Sequence, residues 1–300
     1  MRWGALVVLF VATACPAAEW WEEELQQQEQ AVEEGVPVQA AVGKALWTKG
    51  YIEVVGEATC DMAEALSEAD CYVTARRAAI VLAQEKLSET VNGITIDGET
   101  VLQNELLRSS TLRTRTMGLV RGAAIIKEDR VTLQDGSILA RVWMRLPLHG
   151  EGGLSEPILE RAAELATERP VPRFTFAKPS PPPEPFTGII VDASGIAVTP
   201  AQAPQILVLE KLTSALSIAH VDMSTAQKIG MVEYAGSMND ALTLSDRIGA
   251  HPLQLKAVST HGTTGCDLVI SADEGARLAS ADPEGDLVKS CKVVFVGAFI

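Results

Sequence analysis

A single apolar stripe between Tyr72 and Val91 constrains the fold of this chain more than any other feature. Tyr72, Ala75, Ala79, Leu82, Ala83, Leu87 and Val91 recur at helical spacing, while Gln84, Glu85, Ser88 and Glu89 take the opposite side. The pattern predicts a helix over residues 67–91. Alanine dominates its apolar face, so the face is flat and a neighbouring backbone can come close. Asn92-Gly93 closes the helix, because glycine tolerates the left-handed geometry common at helix ends. A strand around Tyr51, Val54 and Val55, bounded by Gly50 and Gly56, precedes it. A short strand over residues 94–96 and a helical stretch over residues 101–112 follow. Asp135-Gly136 then joins residues 123–133 to residues 138–146 as a hairpin, a dipeptide suited to positive φ at both turn positions. In the second arm Ala140, Val142, Met144 and Leu146 alternate with Arg141, Trp143 and Arg145, so one face is buried and one wet, and Pro147 stops the strand. Helix and hairpin together predict an α+β domain over residues 47–147, with helices packed on a mainly antiparallel sheet.

The amino terminus decides the compartment. Arg2 precedes an apolar run over residues 5–12, then come the small residues Ala14, Ala17 and Ala18, and glutamates begin at Glu19. This is the layout of a secretory leader over residues 1–18. The apolar run is too short to cross a bilayer as a mature helix. Cys15 follows Ala12-Thr13-Ala14, a degenerate lipoprotein box, and is a candidate lipidation site. Cleavage before Cys15 would place the protein on the outer membrane; cleavage after Ala17 or Ala18 would release it into the periplasm. Either way Cys60, Cys71, Cys266 and Cys291 remain. An even number in an oxidising compartment suggests disulfides, and the spacing favours Cys60–Cys71 with Cys266–Cys291. Four buried thiols are the alternative. No Cys-x-x-Cys occurs and no histidine stands at ligand spacing from these cysteines, so no metal site is expected.

The formal charge of −14 over 300 residues argues against nucleic-acid binding and against a basic membrane-docking patch. Hydrophobic residues make up 47%, enough for two packed domains. Residues 19–46 read as an acidic helical tether, with seven glutamates and no basic residue between 19 and 35. Residues 148–185 read as a connector: a helix over residues 154–165, with Pro157 in its first turn, then a proline-rich extended spacer from Pro179 to Pro185. The second domain, residues 186–300, is also mixed α and β. Its expected strands are residues 188–191, ending in a turn at Asp192 to Gly195, then 206–209, 253–258, 267–270 and 293–296. Helices are expected over residues 224–232 and 238–244, and after a capping box at Ser271 and Glu274.

Ala75-Arg76-Arg77-Ala78-Ala79, with Ala83 and Leu87, followed by Val91-Asn92-Gly93-Ile94-Thr95-Ile96-Asp97, resembles the Lpp-twenty-type bacterial envelope lipoproteins. The amino-terminal domain of flagellar assembly protein T is similar to the same family. Gly122 and the Asp135-Gly136 hairpin fit as well, so the resemblance covers residues 47–147. Phe186-Thr187-Gly188-Ile189-Ile190-Val191-Asp192-Ala193, Ala203-Pro204-Gln205-Ile206, Arg247-Ile248-Gly249-Ala250-His251-Pro252-Leu253 and Asp267-Leu268-Val269-Ile270-Ser271 resemble a domain that follows it in uncharacterised secreted bacterial proteins. Leu82 and Glu85 depart from the pattern, where relatives often carry an acid and a base, and His251 stands where asparagine is usual. The resemblance implies envelope assembly or surface roles and no chemistry.

No catalytic residue is assigned. His149, His220, His251 and His261 form no ligand pattern, and His149 and His261 adjoin glycines as in surface turns. His261-Gly262-Thr263-Thr264-Gly265 lacks the lysine and glycine spacing of a phosphate loop and reads as a strand connection. Asp192 reads as a turn-stabilising acid. Arg76, near the apolar helix face, is a candidate partner contact, or else pairs with an acid. The expectation is therefore a non-enzymatic envelope structural or assembly protein without cofactors. It would sit in the periplasm or on the periplasmic side of the outer membrane and contact envelope or flagellar proteins. The alternative is a periplasmic protein that binds a small ligand.

Overall fold

The flat alanine face meets a glycine. In the computed structural model, which describes residues 44–175, 185–209 and 211–299, helix α1 (Glu68–Asn92) crosses the strand β2 (Tyr51–Cys60) at Gly56. A Cβ at Gly56 would lie 2.0 Å from the Ala79 carbonyl oxygen and 2.8 Å from Ala83 Cβ. Helix and strand backbones therefore touch where both sequences lack bulk. Ser67 caps α1 by accepting the Asp70 N–H at 3.1 Å. Cys71, Ala75, Ala79, Ala83, Leu87 and Val91 are its buried residues, each four after the last. An i+4 row drifts around the helix, so Leu82, expected inside, lies beyond its edge and is exposed. Gly93 follows in right-handed rather than left-handed geometry, with φ −76°.

The first sheet runs β1 (Lys44–Leu46), β2, β6 (Ile138–Pro147), β5 (Ala124–Thr132), all antiparallel. Ile52, Val54 and Gly56 stand opposite Leu146, Met144 and Val142, and this face receives α1. Residues 133–137 connect β5 to β6, with the Leu133 N–H donating to the Ser137 carbonyl at 2.9 Å. Only Gly136 takes positive φ, and the Gly136 N–H donates to the Leu133 carbonyl. A tight turn ending in left-handed glycine thus replaces the expected two-residue turn. On the supposedly wet face Trp143 is 4% exposed, with Lys127 Nζ 4.8 Å from its ring centre.

Between α1 and β5 lie β3 (Thr95–Asp97), β4 (Thr100–Val101), α2 (Leu102–Arg108) and α3 (Ser110–Arg121). Ser109 splits the expected single helix in two and caps the second part. Helix α4 (Ser155–Glu168), expected in a connector, is a core element that buries Ile158, Leu159, Ala162 and Leu165. Arg161 on α4 reaches the buried Glu105 of α2 at 2.7 Å.

The remaining strands are β7 (Gly188–Val198), β8 (Ile206–Val208), β9 (Thr213–Leu216), β10 (Glu233–Ala235), β11 (Pro252–His261), β12 (Asp267–Ile270) and β13 (Val293–Phe299). They form one sheet in the order β10-β13-β7-β11-β12-β8-β9. It is mixed: β10, β13, β7 and β11 are parallel neighbours, β12 pairs parallel with β8, and the β11–β12 and β8–β9 pairs are antiparallel. Helices α5 (Met223–Ile229), α6 (Met238–Thr243), α7 (Ser245–Ile248), α8 (Ala272–Ala281) and α9 (Asp286–Lys289) connect them. Strand β7 continues through the expected turn at Asp192; Gly195, with φ +84°, marks a bulge where the register against β13 slips. The architecture is α+β.

Both sheets contribute to one core, which includes Ile52, Leu87, Ile158, Ile206, Leu268 and Phe295. A smaller cluster of Ile190, Ala241, Ile248 and Val294 lies apart from it. The β3–β4 turn joins the halves through backbone: Ala203 N–H donates to Ile96 O at 2.7 Å, and Thr264 N–H to Gly98 O at 3.0 Å. The leader, Cys15, the tether up to residue 43 and most of the proline-rich spacer lie outside the described residues.

Candidate functional site

A cavity of about 420 Å³ lies where the β3–β4 turn, the end of α4 and the start of β12 meet. Asp97, Gly98 and Glu99 form one side. Leu165, Ala166, Arg169 and residues 170–172 form another. Gln205, Leu207, Ile218, His261 and Asp267 are among the residues that line the rest. Arg169 Nη2 donates to Thr100 Oγ1 at 3.0 Å and stands 3.5 Å from Asp97 Oδ2, so its charge is already engaged.

Asp267 opens an otherwise apolar strand and is 2% exposed. Its Oδ1 accepts the Gln205 backbone N–H at 2.9 Å, and its Oδ2 faces Gln205 Nε2 at 3.5 Å. Burial pushes the Asp267 carboxyl up to about 7; the hydrogen bonds from Gln205 and Cys266 oppose the rise, and Asp97 and Glu99 add to it. Gly98 covers this carboxyl so closely that a Cβ there would sit 2.2 Å from Oδ2. Gln205 Oε1 is buried with no hydrogen-bond partner. The Gly262-to-Gly265 loop clamps the β3–β4 turn from outside, with Thr264 Oγ1 donating to Asp97 O at 3.0 Å. That docking contact is the role of the glycine-threonine loop.

A second polar group lies deeper. His149 Nδ1 is 2.5 Å from Ser155 Oγ, and that hydroxyl also faces Leu148 O at 2.7 Å and Gln202 Oε1 at 2.8 Å. One hydroxyl proton serves the two acceptors, so the Nδ1–H of His149 donates to Ser155. Burial, with Arg247 adding to it, lowers His149 to about 4, so the ring is neutral. A serine–histidine contact is the start of a nucleophile pair, but Ser155 is fully buried and its hydroxyl is spent on internal acceptors. His149 therefore packs inward against Gly230, where a Cβ would meet its ring at 2.7 Å, rather than standing in a surface turn. Arg247, also buried, donates to the carbonyls of Ile229, Gly230 and Val293.

The other sequence candidates lie elsewhere. Cys60 and Cys71 form a disulfide tying the end of β2 to the start of α1, with Cα atoms 5.5 Å apart. The expected Cys266–Cys291 bridge is absent: both are free, buried thiols. Strands β7 and β11 separate β12 from β13, and β12 runs against β13, so the two residues stand at opposite ends of the sheet. Arg76 forms a two-pronged ion pair with Glu128 on β5, Nε donating to Oε2 at 2.8 Å. His251 stacks on Phe186 at 4.9 Å. Asp192, inside β7 rather than at the expected turn, accepts the Ser194 N–H at 2.9 Å. Among the described residues no three His, Cys, Asp or Glu side chains converge to hold a metal ion. No site role was assigned from sequence to Asp97, Glu99, Arg169, Gln205 or Asp267, although Asp97, Gln205 and Asp267 fall in the blocks that carry the family resemblance; the one signal for a site was an acid directly before the apolar run Leu268-Val269-Ile270.

Residues 188–298 match the family model of the second domain of Treponema pallidum Tp0624. The match begins with β7 and ends within β13, so it coincides with the seven-stranded sheet. Gln205, Ile218, His261 and Asp267 fall inside it, whereas Asp97, Glu99 and Arg169 fall outside. The cavity thus lies between a matched part and an unmatched part of the chain. No curated protein matches the chain.

Proposed function

We propose that the protein is a non-enzymatic component of the bacterial cell envelope that acts through protein–protein contacts. One observation carries this reading: β5, the outer strand of the first sheet among the described residues, exposes apolar side chains. Among the described residues β5 has a neighbour on one side only, and Ile125 and Ile126 are exposed near its start. Helix α1 packs over β2 and β6, reaches β5 through the ion pairs Glu68–Arg130 and Arg76–Glu128, and exposes Val73 and Val81 on the side turned away from the sheet. An open strand edge next to apolar side chains suits an added strand or a docked helix. The secretory leader and the resemblance of residues 47–147 to envelope lipoproteins and to the amino-terminal domain of flagellar assembly protein T support an envelope partner, with the flagellum as the specific case. Photo-crosslinking in cells from positions 81 and 126 tests this. The expected result is discrete adducts with an envelope or flagellar protein that do not form from the exposed Lys256 position; absence of such adducts at both sites overturns the proposal. Mass spectrometry of the mature amino terminus separates an acylated Cys15 on the outer membrane from a free periplasmic terminus near Glu19.

A further inference from the structure

We propose that the cavity beside Asp267 is a binding site for a small organic cation, an ammonium or amidinium head on a compact apolar body. This site is independent of the partner surface on α1 and β5.

Two features of the lining select that chemistry. Leu165, Ala166, Val171, Leu207 and Ile218 give it an apolar wall suited to a hydrocarbon body. Against this wall stand three carboxyl groups, Asp97, Glu99 and Asp267, and one guanidinium, Arg169, which already faces Asp97 at 3.5 Å. Local charge therefore favours a cation and opposes a carboxylate or phosphate. A metal ion suits the cavity less well, because no three ligating side chains converge there among the described residues. An organic head needs a single accessible carboxylate, and Glu99, exposed at the mouth, supplies it.

The test is isothermal titration of the full mature protein at neutral pH with 2-phenylethylammonium, and with 3-phenylpropionate as the charge-reversed control. Saturable one-to-one binding of the ammonium is expected, with a dissociation constant of about 1 mM, as suits a ligand of this size. The carboxylate control is expected to produce no binding heat. Glu99→Gln, a change at an exposed turn residue, should weaken the ammonium about threefold to tenfold, by removing one charge attraction. Ala166→Trp should fill the cavity and abolish binding, with the circular dichroism spectrum of the folded protein retained. No heat from the ammonium up to about 10 mM, a level that saturates a ligand of this affinity, overturns the proposal. So does equal binding of the two probes, or affinity unchanged in Glu99→Gln.

Discussion

His149 and Asp267 are two buried groups whose proton affinities are shifted in opposite senses. For His149 the folded value, about 4, lies below the ordinary 6.5. The unfolded chain therefore takes the proton first on acidification, and stability falls between about pH 6.5 and 4, by about 3 kcal/mol in all. For Asp267 the folded value, about 7, lies above the ordinary 3.8. Its contribution is fully present below the unfolded value and is lost as pH rises towards 7, by about 4 kcal/mol. Between about pH 4 and 6.5 the two slopes oppose each other, each close to ~1.4 kcal/mol per pH unit. Urea unfolding across this range should reveal each group through its replacement. His149→Gln should make stability fall more steeply with rising pH than in the parent, and Asp267→Asn should make it rise more steeply. Parallel profiles for parent and both variants would refute the assignment. Neither group was marked by a motif. Histidine beside glycine is the pattern of a surface turn, and only the close packing of Gly230 onto its ring turns His149 inward.

At the scale of elements, α1 and its sheet depend on one close crossing and one covalent tie. Gly56→Ala would drive a methyl group against the Ala79 carbonyl, where neither backbone can retreat without opening the sheet. A loss of about 3 kcal/mol is expected, measured as a fall in thermal midpoint. The Cys60–Cys71 bridge closes a short loop, with a sequence separation of 11. Its removal in Cys60→Ala/Cys71→Ala should cost about 3 kcal/mol by the loop-entropy argument, and denaturant unfolding of the parent with and without reductant should show a similar difference. Helix α1 was legible because a long periodic stripe overrides local ambiguity, and the hairpin arms because alternation and Asp-Gly agree. The break at Ser109 and the continuation of β7 through Gly195 were not. Each depends on which partner the backbone meets: a cap hydrogen bond in one case, and a strand on each side of a bulge in the other.

For the whole molecule, the decisive element is α4, with the β3–β4 turn beside it. The described residues gather into one compact unit, and Leu154, Ile158 and Leu159 share a core with residues of both sheets. Calorimetry of the full protein should therefore show one cooperative transition; two resolved transitions would mean that the sheets melt independently. The cavity also exists only at this scale, since Asp97 and Glu99 reach Asp267 across more than half the chain length.

From the sequence alone, periodicity determined the long helix, the β5–β6 hairpin, the apolar strands and the α+β class; cysteine spacing favoured the Cys60–Cys71 bridge, as it also favoured the absent Cys266–Cys291 one. These depend on neighbours within a few turns or one loop. Tertiary structure decided the strand order of the second sheet, the separation of Cys266 from Cys291, the core position of α4 and the cavity. Each of these depends on which distant segments come together. That choice is made by the summed burial of many apolar side chains, a collective quantity that no local pattern encodes.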